Sequence, residues 1–184
     1  MKAWRVMVIA LSFLLLSGCL VSFDTPAPES APAPKGLLGK WSSTNAWGEP
    51  MNLELRHLGD NRYQAVSYFK DQPRERDAYP FTVFRHGSRW YLSAKVPARF
   101  GGHFTLVGFE INEKHELVVY TLDLEQIKQA MGQTVLMGES VQTDEGDGVL
   151  IHSAMDQVFA YLDDPANSDV FVEAVRYQRR VKAK

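Results

Sequence analysis

The hydrophobic pattern divides the chain into three unlike parts. Residues 6–16 form an almost unbroken apolar run behind the basic pair Lys2 and Arg5. Residues 20–35 lose that character, and Pro26, Pro28, Pro32 and Pro34 stand among Ala, Ser and Thr. From residue 37 onward, short alternating or aromatic runs are separated by turn signals. Residues 37–46 predict a first strand. In residues 52–58, Leu53 and Leu55 share one face, Glu54 and Arg56 take the other, and Gly59-Asp60-Asn61 breaks the run. Residues 62–69 and 78–84 follow, and His86-Gly87-Ser88 leads into the cleanest alternation in the chain, residues 89–96. There Trp90, Leu92, Ala94 and Val96 lie on one side, and Arg89, Tyr91, Ser93 and Lys95 on the other. Residues 103–111 and 116–122 flank a turn at 112–115. About seven strands thus succeed one another with connections too short for parallel crossovers, which predicts an antiparallel meander.

Two helical patterns interrupt the strands late in the chain. Asp123 is a good N-cap, and Leu124, Ile127 and Met131 share a face before Gly132 ends the run. Ser153 with Asp156 three residues on has the form of a capping box, and Met155, Val158, Phe159 and Leu162 make a stripe that Asp163-Asp164-Pro165 stops. Between the helices, residues 134–137 and 149–152 predict short strands. Val172, Val175, Tyr177 and Val181 favour a final strand over residues 170–181.

An open meander leaves two unpaired edges, and closing into a barrel removes them. Leu38-Gly39-Lys40-Trp41 at the head of the first strand resembles the Gly-x-Trp signature of lipocalin-type barrels. The resemblance implies that Trp41 packs at the closed end under an arginine of the last strand, Arg179 or Arg180, as a cation–π pair. The expected fold is therefore mainly β: an antiparallel meander closing into a small lipocalin-like barrel, with two short helices late in the chain. Lipocalins carry one main helix, so a half-open sheet wrapped on helices stays as the alternative. A lumen filled by Trp90, Phe81, Phe104 and Leu106 would leave no room for a ligand, whereas an apolar cavity of roughly 300 Å³ or more would support a carrier.

The first part of the chain bears on location. Positive start, apolar middle and small residues before a cut form an export signal. A membrane-spanning helix needs about 20 apolar residues, more than this run offers. Leu16-Ser17-Gly18-Cys19 resembles the lipobox of bacterial lipoproteins at each of its four positions, and Cys19 is the chain's one cysteine. The resemblance implies cleavage before Cys19, a diacylglycerol thioether on its sulfur and acylation of its amine with a chain such as palmitate. Two or more acyl chains hold a protein firmly on a membrane. An aspartate after the cysteine commonly retains such proteins in the inner membrane. Leu20 stands there, which implies the outer membrane, facing the periplasm, in a Gram-negative source. The expected division is thus signal peptide at 1–18, a lipidated, proline-rich tether at 19–36, and one β-rich domain at 37–184. At ~3.1 Å per residue in polyproline geometry, the tether reaches roughly 50 Å.

Composition adds bounds. Losing Lys2 and Arg5 with the leader takes the net charge from −2 to −4, which argues against nucleic acid as a partner. With Cys19 alone there is no internal disulfide, so the domain relies on its core, for which an aromatic content of 11% is ample.

Candidate chemistry is sparse. His57, His86, His103, His115 and His152 show no metal-ligand spacing, and no metal or cofactor is expected. A Gly-x-Ser-x-Gly elbow does not occur. Residues 143–148 lack the ligand series of a calcium loop and read as a solvated hairpin. Arg99, Phe100 and His103, in a glycine-bearing connection, make a candidate ligand or partner loop, with an ordinary inter-strand loop as the plainer reading. Five cations among the last nine residues, Arg176 to Lys184, would meet anionic headgroups or simply solubilise a terminus. These residues point to a non-catalytic binding or accessory domain of an envelope lipoprotein. The alternatives are a carrier of a small apolar ligand or lipid and, third, an enzyme such as a hydrolase.

Overall fold

The computed structural model describes residues 20–27, 30–44, 48–98, 101–143 and 146–180. Seven strands follow one another as a meander: β2 (Gly39–Thr44), β3 (Pro50–Gly59), β4 (Arg62–Phe69), β5 (Asp77–His86), β6 (Arg89–Lys95), β7 (Phe104–Ile111) and β8 (Leu117–Leu122). The last strand, β11 (Phe171–Arg179), inserts between β8 and β2 and closes an eight-stranded antiparallel barrel. The turns are those their residues favour. Asp60 and Asn61 both take positive φ (49° and 57°), the tight two-residue hairpin geometry that matches strand twist. Asn112 folds its own turn, its Oδ1 accepting from the amides of Lys114 and Glu116 at 3.0 Å.

A second sheet segment grows from the barrel. β1 (Leu20–Phe23) pairs antiparallel with the first residues of β7 and parallel with β10 (Gly146–Ile151), which in turn pairs with β9 (Gly138–Thr143). The junction with the barrel is narrow, Ser22 opposite Thr105 and Phe23 opposite Phe104. Two helices, α1 (Leu124–Gly132) and α2 (Met155–Asp163), cover this wing and the outer face of β5–β8.

Strands β5–β8 therefore bury residues on both faces. One core fills the barrel, with Trp41, Leu53, Phe81, Val107, Phe109 and Tyr177 among its members. The other lies outside it, where Phe23, Phe84, Tyr91, Leu106, Val149 and Phe159 meet the helices. Tyr91, on the nominally polar side of β6, is 2% exposed because Phe84 stacks on it and Phe159 meets it edge-on.

Several expectations change. The stretch read as a free tether is joined to the domain at several points: all four residues of β1 are buried, Ala31 N–H donates to Val83 O at 2.6 Å, and Ala33 N–H to the Tyr63 hydroxyl at 2.8 Å. Sheet edges and a phenol supply what the proline-rich composition alone does not. Leu106 belongs to the outer core, and Phe104 lines an outer cleft; Val107 and Phe109 occupy the lumen in their place. Residues 134–137 are not a strand. Thr134 takes positive φ (58°) and the pairing starts later, at Gly138. The second helix begins one residue after Ala154, without a side-chain cap, because the Ser153 hydroxyl accepts the Met137 amide at 2.7 Å instead. At α1 the cap is as read, with Asp123 Oδ1 accepting from Gln126 N–H at 2.9 Å.

Candidate functional sites

The barrel's Trp41 end is assembled from three chain segments. Trp41 is fully buried, and its indole N–H donates to Leu37 O at 2.9 Å. The register Arg179 opposite Trp41 brings the Arg179 guanidinium over the ring, 4.2 Å from its centroid. The same guanidinium donates to the carbonyls of Leu38, at 3.1 Å, and of Gly36. Gly39 sits beneath this clamp with φ +126°, and a Cβ there would stand 2.9 Å from the guanidinium. Arg180, on the opposite face, donates to Asn52 Oδ1 at 2.9 Å. The clamp is a structural lock: its donors are consumed by backbone oxygens and a ring face.

Above it the described residues pack the lumen closely. A void among them, about 20 Å³, is lined by Leu37, Leu53, Phe81, Leu92, Phe109 and other apolar side chains. A space of that size holds about one water at most, and nothing in its lining would hydrogen-bond it.

A charged cluster joins the wing to the barrel. Asp24 directly follows β1; His152 Nδ1 contacts one of its oxygens, and His103 Nδ1 lies 3.7 Å from the other. His152 Nε2 lies 3.7 Å from Glu139 of β9. The hydrogen bond to Asp24, reinforced by the charges of Asp24 and Glu139, raises the His152 pKa above its ordinary value. Each member is well exposed, from 37% for His103 to 63% for Glu139. The set can share a proton between imidazole and carboxylate, and none of its four members is a hydroxyl or thiol nucleophile. Its geometry is that of a latch, pinning the ends of β1, β7, β9 and β10. Among the described residues no group of His, Cys, Asp or Glu could hold a metal ion.

The remaining site residues fall as follows. Arg99 and Phe100 lie outside the described residues, as does Cys19. His103 is brought to Asp24, not to a ligand cleft. Arg176 is taken up by Glu116 and Glu173, each at 2.8 Å. Glu116, bonded by Asn112, Gln178 and Arg176, has its carboxyl held down to about 2. His86 bridges β5 to α2, its Nε2 2.7 Å from Asp163 and its ring stacked on Phe159. Sequence reading overlooked Asp24, which stands alone in an unpatterned stretch with its partners far along the chain.

No family model matches the chain, and no curated protein or solved structure is significantly similar to it.

Proposed function

We propose that the chain is a lipid-anchored protein of the bacterial envelope whose barrel works as a non-catalytic binding or accessory module. The observation that supports this best is the packed lumen. An interior carrier of lipid needs a cavity of roughly 300 Å³ or more, and the void here is about 20 Å³. Work is left to the outer surface, as in domains that present rims and clefts to partners.

The anchor rests on Leu16-Ser17-Gly18-Cys19, whose resemblance to a lipobox implies acylation of Cys19, with Leu20 favouring the outer membrane of a Gram-negative cell. β1 begins at Leu20, the residue joined to Cys19 by a peptide bond. A domain anchored there rides against the bilayer, instead of on a leash of roughly 50 Å. No described helix is long and apolar enough to cross a membrane. Two or more acyl chains on Cys19 would suffice to hold the protein there.

The test is metabolic labelling with palmitate in cells making the full chain. The wild type should take up label and fractionate with membranes, and Cys19→Ala should do neither. Equal labelling of the two refutes the anchor. Native mass spectrometry of the purified domain tests the other half: a stoichiometric co-purified lipid would restore the carrier.

A further inference from the structure

The outer side of the barrel carries a cleft of about 320 Å³ where β2, β3 and β11 lie side by side. Register decides which side chains line it. Trp41, Leu53 and Tyr177 face the lumen, so their chain neighbours Ser42, Asn52 and Gln178 face out. Gln178 pairs with Ser42 and Ser42 with Asn52, which sets the three in one row. Thr44 and Arg180 take the same face two residues further along. Met51 and Phe69 pair in the inward phase, and that turns Lys70 outward beside Pro50.

Asn52 forms the floor. It is 6% exposed in the middle of β3, although strands are poor in asparagine and an amide is costly to bury without its hydrogen bonds. Arg180 Nη1 donates to its Oδ1 at 2.9 Å, which fixes the amide orientation and leaves Nδ2 as a pair of donors. No acceptor among the described residues meets that Nδ2. Gln178 is already engaged, its Nε2 donating to Glu116. Lys70 and Arg180, both exposed, have no carboxylate partner among the described residues, and no Asp or Glu lines the cleft. Nearby carboxylates are taken up by other arginines, Glu54 by Arg56 and Glu116 by Arg176, each at 2.8 Å. What remains is a surplus of donors under two unpaired positive charges, a composition that suits an oxyanion.

We propose that this cleft binds a phosphate group, free or esterified to a small polyol, with Lys70 and Arg180 supplying charge and Asn52, Ser42 and Thr44 supplying directed donors. A phosphate monoester at neutral pH carries a charge of about −1.5 to −2 and three strong acceptor oxygens. Two cations balance that charge, and donors from separate strands meet the oxygens from different directions. A planar carboxylate has two oxygens and would leave part of the set unused. The volume is at the lower end of small-molecule sites, so a few carbons and hydroxyls fit beside the phosphate. The proposal rests on the reading of the barrel as a module that binds through its outer surface, and it needs no acyl anchor.

The experiment titrates the purified full-length protein, at fixed ionic strength, with inorganic phosphate, glycerol 3-phosphate and glycerol, following the Asn52 side-chain amide resonances. Both phosphates should give a saturable shift with a Kd of about 1 mM, and glycerol none. Tighter binding of the ester identifies the esterified source and equal binding the free anion; either supports the site. Lys70→Gln should weaken phosphate binding about fivefold, and Lys70→Gln with Arg180→Gln at least about tenfold, glutamine at 180 keeping a donor for Asn52 Oδ1. Lys40→Gln, which removes a cation of the same face outside the lining, should change the Kd by less than about twofold. No saturable shift with either phosphate, an equal response to glycerol, or an unchanged Kd in Lys70→Gln overturns the proposal. So do equal losses in Lys40→Gln and Lys70→Gln, the mark of diffuse attraction. Where the double variant fails to fold, the Lys70→Gln and Lys40→Gln comparison decides alone. A failed titration beside a lipid-free native mass spectrum strikes this cleft only, whereas stoichiometric co-purified lipid strikes the surface-module reading itself.

Discussion

Truncating Trp41 is the sharpest test of the closed barrel end. The ring is fully buried and donates to Leu37 O, and Arg179 covers its outer face. Deleting a buried tryptophan side chain costs about 3–5 kcal/mol, from lost transfer energy and the cavity left behind. Collapse here is hindered. Leu37, Leu53 and Tyr177 belong to the same packed core, and the barrel's hydrogen-bonded wall cannot close on the gap. The expectation for Trp41→Ala is therefore the upper part of that range. Trp41→Phe keeps most of the apolar volume and leaves Leu37 O without its donor, so about 1–2 kcal/mol is expected. Arg179→Ala removes the cation–π contact, worth about 0.5–1 kcal/mol at a half-exposed site, and two bonds to carbonyls. The double variant Trp41→Ala, Arg179→Ala should then cost less than the sum of the singles by about 1 kcal/mol, the coupling between ring and cation. Urea titration by circular dichroism measures all four proteins, with a constant m-value as the check on two-state behaviour. A cost below about 1 kcal/mol for Trp41→Ala would show that the ring is not the plug of the barrel, whatever its burial.

Two further predictions concern the segment ahead of the barrel. Phe23 is 1% exposed in β1, so Phe23→Ala should destabilise the whole domain by about 3–5 kcal/mol in the same assay; a neutral result would return residues 20–35 to the status of a spacer. The His152–Asp24 contact should be pH-dependent. Because the folded state raises the His152 pKa, its stabilisation is complete below the unfolded value of about 6.5 and is lost as pH rises through the folded pKa. The stability gap between wild type and His152→Gln should thus be widest below about pH 6.5 and narrow as pH rises through the raised folded value, with His103 and Glu139 as the other side chains facing the pair. A gap that stays constant across that range refutes the latch.

Most of the barrel was legible because a period of two survives wherever one strand face meets the lumen. β4 and β6 start at the residues where their alternation starts, and the Asp60-Asn61 turn follows directly from residues that tolerate positive φ. What alternation cannot show is whether the outward face is wet. Tyr91 and Leu106 sit on that face and are buried by helices contributed from residues 124–163, far along the chain. For the same reason alternation does not tell which phase of β7 faces inward: Val107 and Phe109 do, and Leu106 faces the helices, so a one-residue change of phase exchanges inside for outside. β1 was illegible for another reason. Four residues beside a proline-rich stretch carry too little pattern to mark a strand, and their pairing with β10 is fixed by partners more than a hundred positions away.

The two arginines of the tail show how little separates a lock from a surface charge. Arg179 and Arg180 are chemically identical and adjacent, and the Gly-x-Trp resemblance could not choose between them. The choice is made by register: Gln178 pairs with Ser42 and Arg179 with Trp41, so Arg179 faces the ring and Arg180 turns to Asn52. That register is itself held by few contacts, two residue pairs between β11 and β2 supplemented by Ser43 Oγ–H to Arg176 O at 2.7 Å and Arg180 N–H to Lys40 O at 2.9 Å. The clamp on Trp41 therefore does two things at once. It seals the barrel end, and it holds the final strand in the register that closes the barrel, since a slip of one residue would exchange Arg179 for Arg180 and leave the indole uncovered. The same dependence on placement distinguishes Arg89 from the other cations. Arg176 and Arg179 have their N–H groups met by carboxylates or carbonyls, whereas Arg89 has the Phe171 ring face, the space beside Gly108 and a closed-off nitrogen without an acceptor.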